Sequence, residues 1–308
     1  MIFTEQIGVL VFLAVVVTTY TLAGRVLFKR FVRKRPISRW PDRLVLALAG
    51  IGLLCFAYGY FIEPYRLTVS RVKITSSKIP KDFGALRIAH ISDTHSDPQP
   101  RLEQRLPLAI AAEHPDIIVF TGDAINSREG LPVFQNCLTE LAAIAPTFVV
   151  KGNWDTGFSR EFPLFAGTGA HELNATSVKV EIRGLQIWIA GLAANNRNSL
   201  DRALTGIPPD ALKIFLYHYP DLIKEVAERE VDLYLAGHTH GGQVALPIYG
   251  ALMTLSKYGK TYESGLFRER DTWLYVNRGI GMEGRHAPPV RFWAPPELTL
   301  IEVGSAQS

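Results

Sequence analysis

The sequence predicts an α/β protein, a four-layer α/β/β/α sandwich preceded by two long apolar helices. Three observations predict it. From about Leu67 onward, short apolar runs alternate with helical stretches, the order of a largely parallel or mixed sheet covered by helices. Asp, Asn and His stand directly after several of those runs, and strand ends of one sheet converge on a common edge. Two uncharged stretches precede the whole pattern. The expected division is residues 1–66 for a helical hairpin and residues 67–308 for the α/β domain.

Ile7 to Gly24 and Leu44 to Ile62 carry no charge, and each is about 18 residues, the minimum span of a bilayer core. Between them lie Arg25, Lys29, Arg30, Arg33, Lys34, Arg35, Arg39 and Arg43 against one acid, Asp42. No basic region precedes the first stretch, which argues against a cleaved leader. The positive-inside rule puts the basic connector in the cytoplasm. The expectation is an integral inner-membrane or plasma-membrane protein with two spans and its catalytic domain on the outer face. Arg66, Arg71, Lys73, Lys78 and Lys81 follow the second span and pull the other way. They could also hold the domain against anionic headgroups. The net charge of +4 is modest and clustered, which excludes a dedicated nucleic-acid binder. Cys55 and Cys137 fall in an apolar segment and a helix, so no bridge is expected.

In the catalytic part, strands are expected at 86–92, 117–121, 147–150, 213–217 and 231–236. Helices are expected around 106–112, 133–143 and 221–230. Strands at 178–182, 185–190, 272–277 and 298–302 enrich the later half, and 304–308 should fray. Each of the first five strands runs into a motif. These are Asp93-Thr94-His95, Gly122-Asp123, Gly152-Asn153-Trp154-Asp155, His218, and Gly237-His238-Thr239-His240. A lone Asp at a strand end is usually a turn residue and a lone His a satisfied polar group. His90, His114 and His171 therefore take no role. Carboxylate, amide and imidazole without thiolate suit Mn, Fe or Zn, not a closed structural zinc site. Gly122, Gly152 and Gly237 would let the chain turn sharply and bring backbone close.

The motif order resembles the calcineurin-like metallophosphoesterases, whose motifs are Asp-x-His, Gly-Asp, Gly-Asn-His-Asp/Glu, a lone His and Gly-His-x-His. The resemblance covers Asp93 to His240 in register. It implies two divalent metal ions, with Mn favoured. Asp93, His95 and His240 would hold the first, Asn153, His218 and His238 the second, and Asp123 would bridge. Two such cations about 3.5–4 Å apart polarise a phosphate and lower the pKa of a water. Asp123 and Asn153 are the implied catalytic residues. The tail is similar to a membrane-tethered branch that includes UDP-2,3-diacylglucosamine hydrolases, through Gly237 to Gln243, Asn277 to Gly281, Pro289 to Phe292 and Pro296 to Leu298.

The sequence departs from that pattern at Trp154, where the family usually has His. Indole has no basic nitrogen and cannot act as a general acid. The expected substrate is therefore a phosphate compound with a good leaving group, such as a pyrophosphate-linked lipid. The alternative keeps Trp154 as a pocket wall and gives proton donation to another residue such as His286. Asn126 and Asn195-Asn196 stand where acids are common. Arg278, Arg285, His286 and Arg291 are candidates for phosphate contact, with Arg278, Arg291 and Trp154 the preferred substrate-binding set. Ile248, Tyr249, Leu252, Met253, Tyr258 and Tyr262 could line an acyl groove or pack as plain core. The membrane and a lipid-linked phosphate are the expected partners. A UDP-linked lipid belongs on the cytoplasmic face, which conflicts with an outer-face domain. A soluble-ester phosphatase and an inactive membrane scaffold remain alternatives.

Overall fold

The structure, a computed structural model, describes residues 3–37, 39–284 and 289–306. Two helices lead, α1 (Phe3–Phe31) and α2 (Trp40–Phe61). They are followed by β1 (Thr68–Ser76), β2 (Ala85–Ile91), α3 (Leu106–Ala111), β3 (Ile117–Phe120), α4 (Leu131–Ile144) and β4 (Thr147–Val149). Then come α5 (Asn153–Thr156), β5 (His171–Glu172), β6 (Thr176–Ile182), β7 (Leu185–Leu192), α6 (Leu200–Leu204) and β8 (Leu212–Tyr217). The chain closes with α7 (Ile223–Ala227), β9 (Leu233–Ala236), a short hairpin of β10 (Ala245–Leu246) and β11 (Gly250–Ala251), β12 (Gly265–Glu269), β13 (Thr272–Val276) and β14 (Glu297–Ser305).

The strands form two six-stranded mixed sheets, ordered β1-β14-β2-β3-β4-β5 and β12-β13-β9-β8-β7-β6. Their inner faces pack on each other. Strand alternation decides which side chains take part: Leu86, Ile88, Ile117 and Val119 meet Ile187, Ile214, Leu216 and Leu235 in the central layer. The opposite faces of the same strands are apolar too. Ala89, Ile91, Ile118 and Phe120 bury against Leu106 and Ile110 of α3 and Phe134, Leu138 and Leu141 of α4. Phe215, Tyr217 and Tyr234 bury with Leu200 of α6 and Ile223 and Val226 of α7. Strands buried on both faces read as continuous apolar runs, as these do, and the predicted α/β/β/α order is the one observed.

Three elements differ from expectation. β1 was read only as a basic stretch, and the basic residues on and just after it pair with acids of the domain. Arg71 pairs with Glu113, Lys73 with Glu302 at 3.2 Å and Lys78 with Asp232 at 2.8 Å. The helix expected over 221–230 shortens to one 3-10 turn and the five residues of α7. β14 runs to Ser305, because Thr75 and Ser76 of β1 pair with Gly304 and Ser305. The two cysteines are free.

α1 and α2 are long and apolar enough to cross a membrane, and only 6% and 11% of their spanning windows is buried. A buried core helix would be covered on all sides, and these two are not. Tyr20 donates its hydroxyl to the Ala49 carbonyl at 3.1 Å, tying the pair together. The domain grips the ends of this hairpin away from the basic connector. Arg291 donates its backbone N–H to Gly59 at 2.9 Å, and Ala294 donates to the Glu63 carboxylate at 2.6 Å. Glu5, fully buried in the first turn of α1, accepts from both the N–H and the hydroxyl of Thr254, at 3.2 and 2.6 Å.

Phe120 packs against Phe134 and Phe165 at ring-centroid distances of 5.3 and 6.3 Å, directly before Gly122-Asp123. Truncating a fully buried phenylalanine costs about 3–5 kcal/mol. Phe120→Ala should lower unfolding stability by that amount, read by chemical denaturation in detergent micelles.

Candidate metal centre

The parallel strands carry their motifs to one edge. β2 delivers Asp93 and His95, β3 Asp123, β4 Asn153, β8 His218 and β9 His238 and His240. Register does the positioning: β2, β3 and β4 run parallel in one sheet, and β7, β8 and β9 in the other. Both sheets therefore end at the same side of the sandwich. Two sets of ligand atoms lie within 4.8 Å of one another, Asp93 with His95 and His240, and Asp93 with Asp123 and His218. Asn153 Oδ1 joins the second set at 2.9 Å from His218 Nε2 and 3.0 Å from His238 Nδ1. All seven expected ligands thus converge. Asp123 Oδ2 faces His95 Nε2 at 3.6 Å and His218 Nε2 at 3.2 Å, between the two sets.

The donor set fits divalent cations. The imidazoles are oriented by a hydrogen bond on the nitrogen turned away from the centre, the usual arrangement for ligating His. His218 Nδ1 donates to the Thr121 carbonyl at 2.7 Å, which turns Nε2 towards Asp123. His95 Nδ1 meets Asn126 Oδ1 at 3.0 Å, and its Nε2 is buried with no hydrogen-bond partner. An orphaned, sealed imidazole nitrogen aimed at carboxylates is what a cation would satisfy. Burial, against the pull of Asp123, lowers the His95 pKa to about 4. Burial and the neighbouring His218 lower that of His238 to about 3. Both rings are therefore neutral at pH 7 and able to ligate. Burial also works against charge on His218, but Asp123 and Asp93 outweigh it and raise its pKa to about 9. Burial would raise both aspartates, yet the surrounding His cluster holds each below the usual carboxylate range. The two carboxylates demand positive charge, and without a cation His218 supplies it.

The backbone is also bent to the site. Asp93, His95, Asp123, His238 and His240 adopt left-handed angles, with φ of 49°, 40°, 61°, 71° and 52°. Such conformations cost about 1–3 kcal/mol each in a non-glycine residue and cluster at functional sites. Glycines make room beside them. A Cβ on Gly237 would sit 2.3 Å from Asp93 Oδ2 and 2.0 Å from Ser92 Oγ. On Gly152 it would meet Asp123 Oδ1 at 2.1 Å. At these two positions the requirement is the close approach that the sequence implied, without a left-handed turn; Gly122, at φ 101°, does make one.

Several supporting residues were missed. Asp155 is wholly buried and accepts from the N–H groups of Asp123, Ala124 and Gly152 at 2.7–2.9 Å, which fixes the bridge residue's loop. Burial and the Asp123 charge push its pKa up to about 6. Asn277 donates to Thr299 at 2.9 Å and accepts from Gly279 N at 2.7 Å. Gly281 then donates its N–H to the Asp93 carbonyl at 2.7 Å. The Asn277–Gly281 motif is thus a brace behind Asp93. Its signal was present in the sequence, but no spacing rule converts it to a contact.

The two arginines chosen for substrate are corrected by their surroundings. Arg291 is fully buried and donates to the carbonyls of Gly281, Ala294 and Arg278. It is a strut behind His240, with no face left for a phosphate. Arg278 pairs with Glu297 at 3.2 Å and donates to Pro295 and Thr68, away from the cleft. Arg285 and His286 lie outside the described residues. Trp154 does line the cleft, an open space of about 480 Å³ that also touches Asp123, Asn153, His238 and His240. Its indole stands edge-on to His95 at 5.4 Å and Phe158 at 5.7 Å. Of the apolar set, Met253 borders the cleft, whereas Leu252 and Tyr262 are core and Ile248 and Tyr249 face outward.

Comparison with known proteins agrees with this geometry. The calcineurin-like phosphoesterase family matches residues 86–242. The uncharacterized metallophosphoesterase YkuE of Bacillus subtilis is 32% identical over 267 residues, covering 81% of this chain and 90% of its own. The phosphodiesterase YaeI of Escherichia coli is 27% identical, covering 80% and 92%. The UDP-2,3-diacylglucosamine pyrophosphatase LpxG of Chlamydia trachomatis is 28% identical, covering 81% and 93%. The chain belongs to the calcineurin-like phosphoesterase family. It is a metal-dependent hydrolase acting on phosphate bonds, in a family that uses a binuclear divalent centre.

Gly237→Ala tests the close approach. It should displace Asp93 and lower bound metal well below wild type, while the circular dichroism spectrum stays native. Elemental analysis of the purified full chain reads the first quantity.

Proposed function

We propose that this protein is a membrane-tethered phosphoesterase that cleaves a phosphodiester or pyrophosphate bond of an amphiphilic, lipid-linked substrate. Residues 1–66 form the tether and residues 67–308 the catalytic domain. Asp93, His95 and His240 would hold one cation and Asn153, His218 and His238 the other, with Asp123 able to serve both. The observation that carries this reading is the convergence of seven metal-ligand side chains on the edge shared by both sheets. Bound divalent cations, Mn favoured, would supply Lewis acidity and a nucleophile available at neutral pH. The chain's own contribution is to keep His95 and His238 deprotonated, to lock imidazole orientation through Asn126 and Thr121, and to fix Asp123 through Asp155. The basic connector supports an outer-face domain in the inner or plasma membrane.

Trp154 favours the anhydride. Its indole walls the cleft beside His95, so this position offers no acid to a departing alkoxide. General-acid help is worth about 10²–10⁴ in rate, and a phosphate leaving group needs it least. The relative named as a pyrophosphatase supports the same direction. Asp123→Ala should reduce Mn-dependent hydrolysis of every phosphate substrate to background; retained turnover would refute the centre. Wild type should cleave a pyrophosphate diester at least about 100-fold faster than an alkyl phosphomonoester, and Trp154→His should narrow that gap. Equal wild-type rates on both would end the leaving-group argument.

A further inference from the structure

Outside the two apolar helices, three large apolar side chains are exposed from left-handed backbone positions: Ile248, Leu255 and Trp293, at φ 70°, 57° and 59°. A β-branched or bulky residue at positive φ is a conformational outlier, so these side chains are held outward against local preference. Ile248 is wholly exposed and Trp293 62% exposed. All three adjoin the places where the domain grips the hairpin. Tyr249, next to Ile248, lays its hydroxyl against Gly8 of α1, where a Cβ would come within 2.4 Å. Thr254, next to Leu255, is the residue bonded to the buried Glu5 of α1. Phe292, next to Trp293, stacks edge-on with Tyr58 of α2 at 6.2 Å. Leu255 also lines the catalytic cleft, and its carbonyl lies 3.4 Å from His238 Nε2.

We propose that Ile248, Leu255 and Trp293 form a membrane-seating rim that inserts into the headgroup layer of the bilayer crossed by α1 and α2, so that the cleft opens onto the lipid surface. This rests on the tether in the proposed function and adds the way the substrate reaches the site. The occupant is lipid because the rim is continuous with the ends of the two spans. Trp and Tyr at such an interface place an apolar body in lipid and a polar edge in water. Lys260, whose ammonium lies 3.5 Å from the centroid of the Tyr249 ring, supplies a cation at the same level for anionic headgroups. The Glu5–Thr254 bonds couple the first span to the strand of chain bordering the cleft. The anchor therefore sets the height and tilt of the site, not only its address.

The test is depth. Full-length protein, with Cys55 replaced by Ser and Cys137 left buried, carries an environment-sensitive fluorophore at Ile248→Cys or Trp293→Cys. Gln186→Cys is the control, exposed at the start of β7 and so at the strand end away from the cleft. Each is placed in nanodiscs of phosphatidylcholine and phosphatidylglycerol containing lipids spin-labelled near the headgroup or deep in the chain. Both rim positions should be quenched at least threefold more by the shallow label than Gln186→Cys, and less by the deep label. Rim positions quenched no more than the control would overturn the proposal. So would equal quenching by both labels, because that places the residues in the span itself. The readout needs no turnover: quenching at the rim with no hydrolysis of any phosphate substrate would reject the function and keep the surface.

Discussion

Two buried carboxylates govern this structure. Asp93 and Asp123 are buried beside each other among four imidazoles. A buried ion carries an effective penalty of several kcal/mol unless paired and hydrogen-bonded. The fold accepts that penalty and adds five left-handed backbone positions on top of it. Nothing in packing alone rewards such an arrangement. Divalent charge at the centre does, by pairing the carboxylates and the unpartnered His95 nitrogen together.

The rest of the domain serves that constraint. Two sheets whose strands are apolar on both faces make a rigid double layer. Their register places five motif-bearing strand ends at one edge, far apart in sequence and close in space. Behind that edge sits a second ring of groups that hold the backbone. Asp155 gathers three backbone N–H groups, Arg291 ties three carbonyls, and Asn277 braces the turn beneath Asp93. The hairpin joins this ring through Glu5, Gly59 and Glu63. Hairpin and domain are thus tied by hydrogen bonds close to the site.

Much of this was legible in the residues. Continuous apolar runs ending in Asp or His announced the strands, and the helices between them implied parallel neighbours with a common edge. The seven ligands came from the family resemblance that the motif order carries. Other features were not legible, for physical reasons. β1 hides as a strand because alternating Arg71, Lys73 and apolar residues on an edge resemble a basic linker. Arg291 looked like a phosphate contact, because a side chain's type does not tell which carbonyls will surround it. Asp155 carried no role, because its work is to bind backbone, and backbone geometry at β3 and β4 appears only after folding. The left-handed rim of Ile248, Leu255 and Trp293 depends on φ angles that residue identity argues against.

The central claim is a pair of cations held by this edge. Anomalous diffraction at the manganese edge, from crystals of the full chain grown with Mn²⁺, addresses it most directly. The account predicts two peaks, one among Asp93, His95 and His240 and one among Asn153, His218 and His238, with the Asp123 carboxylate between them. A metal-saturated crystal with no peak at this edge, its carboxylates and imidazoles bonded only to each other, would contradict it.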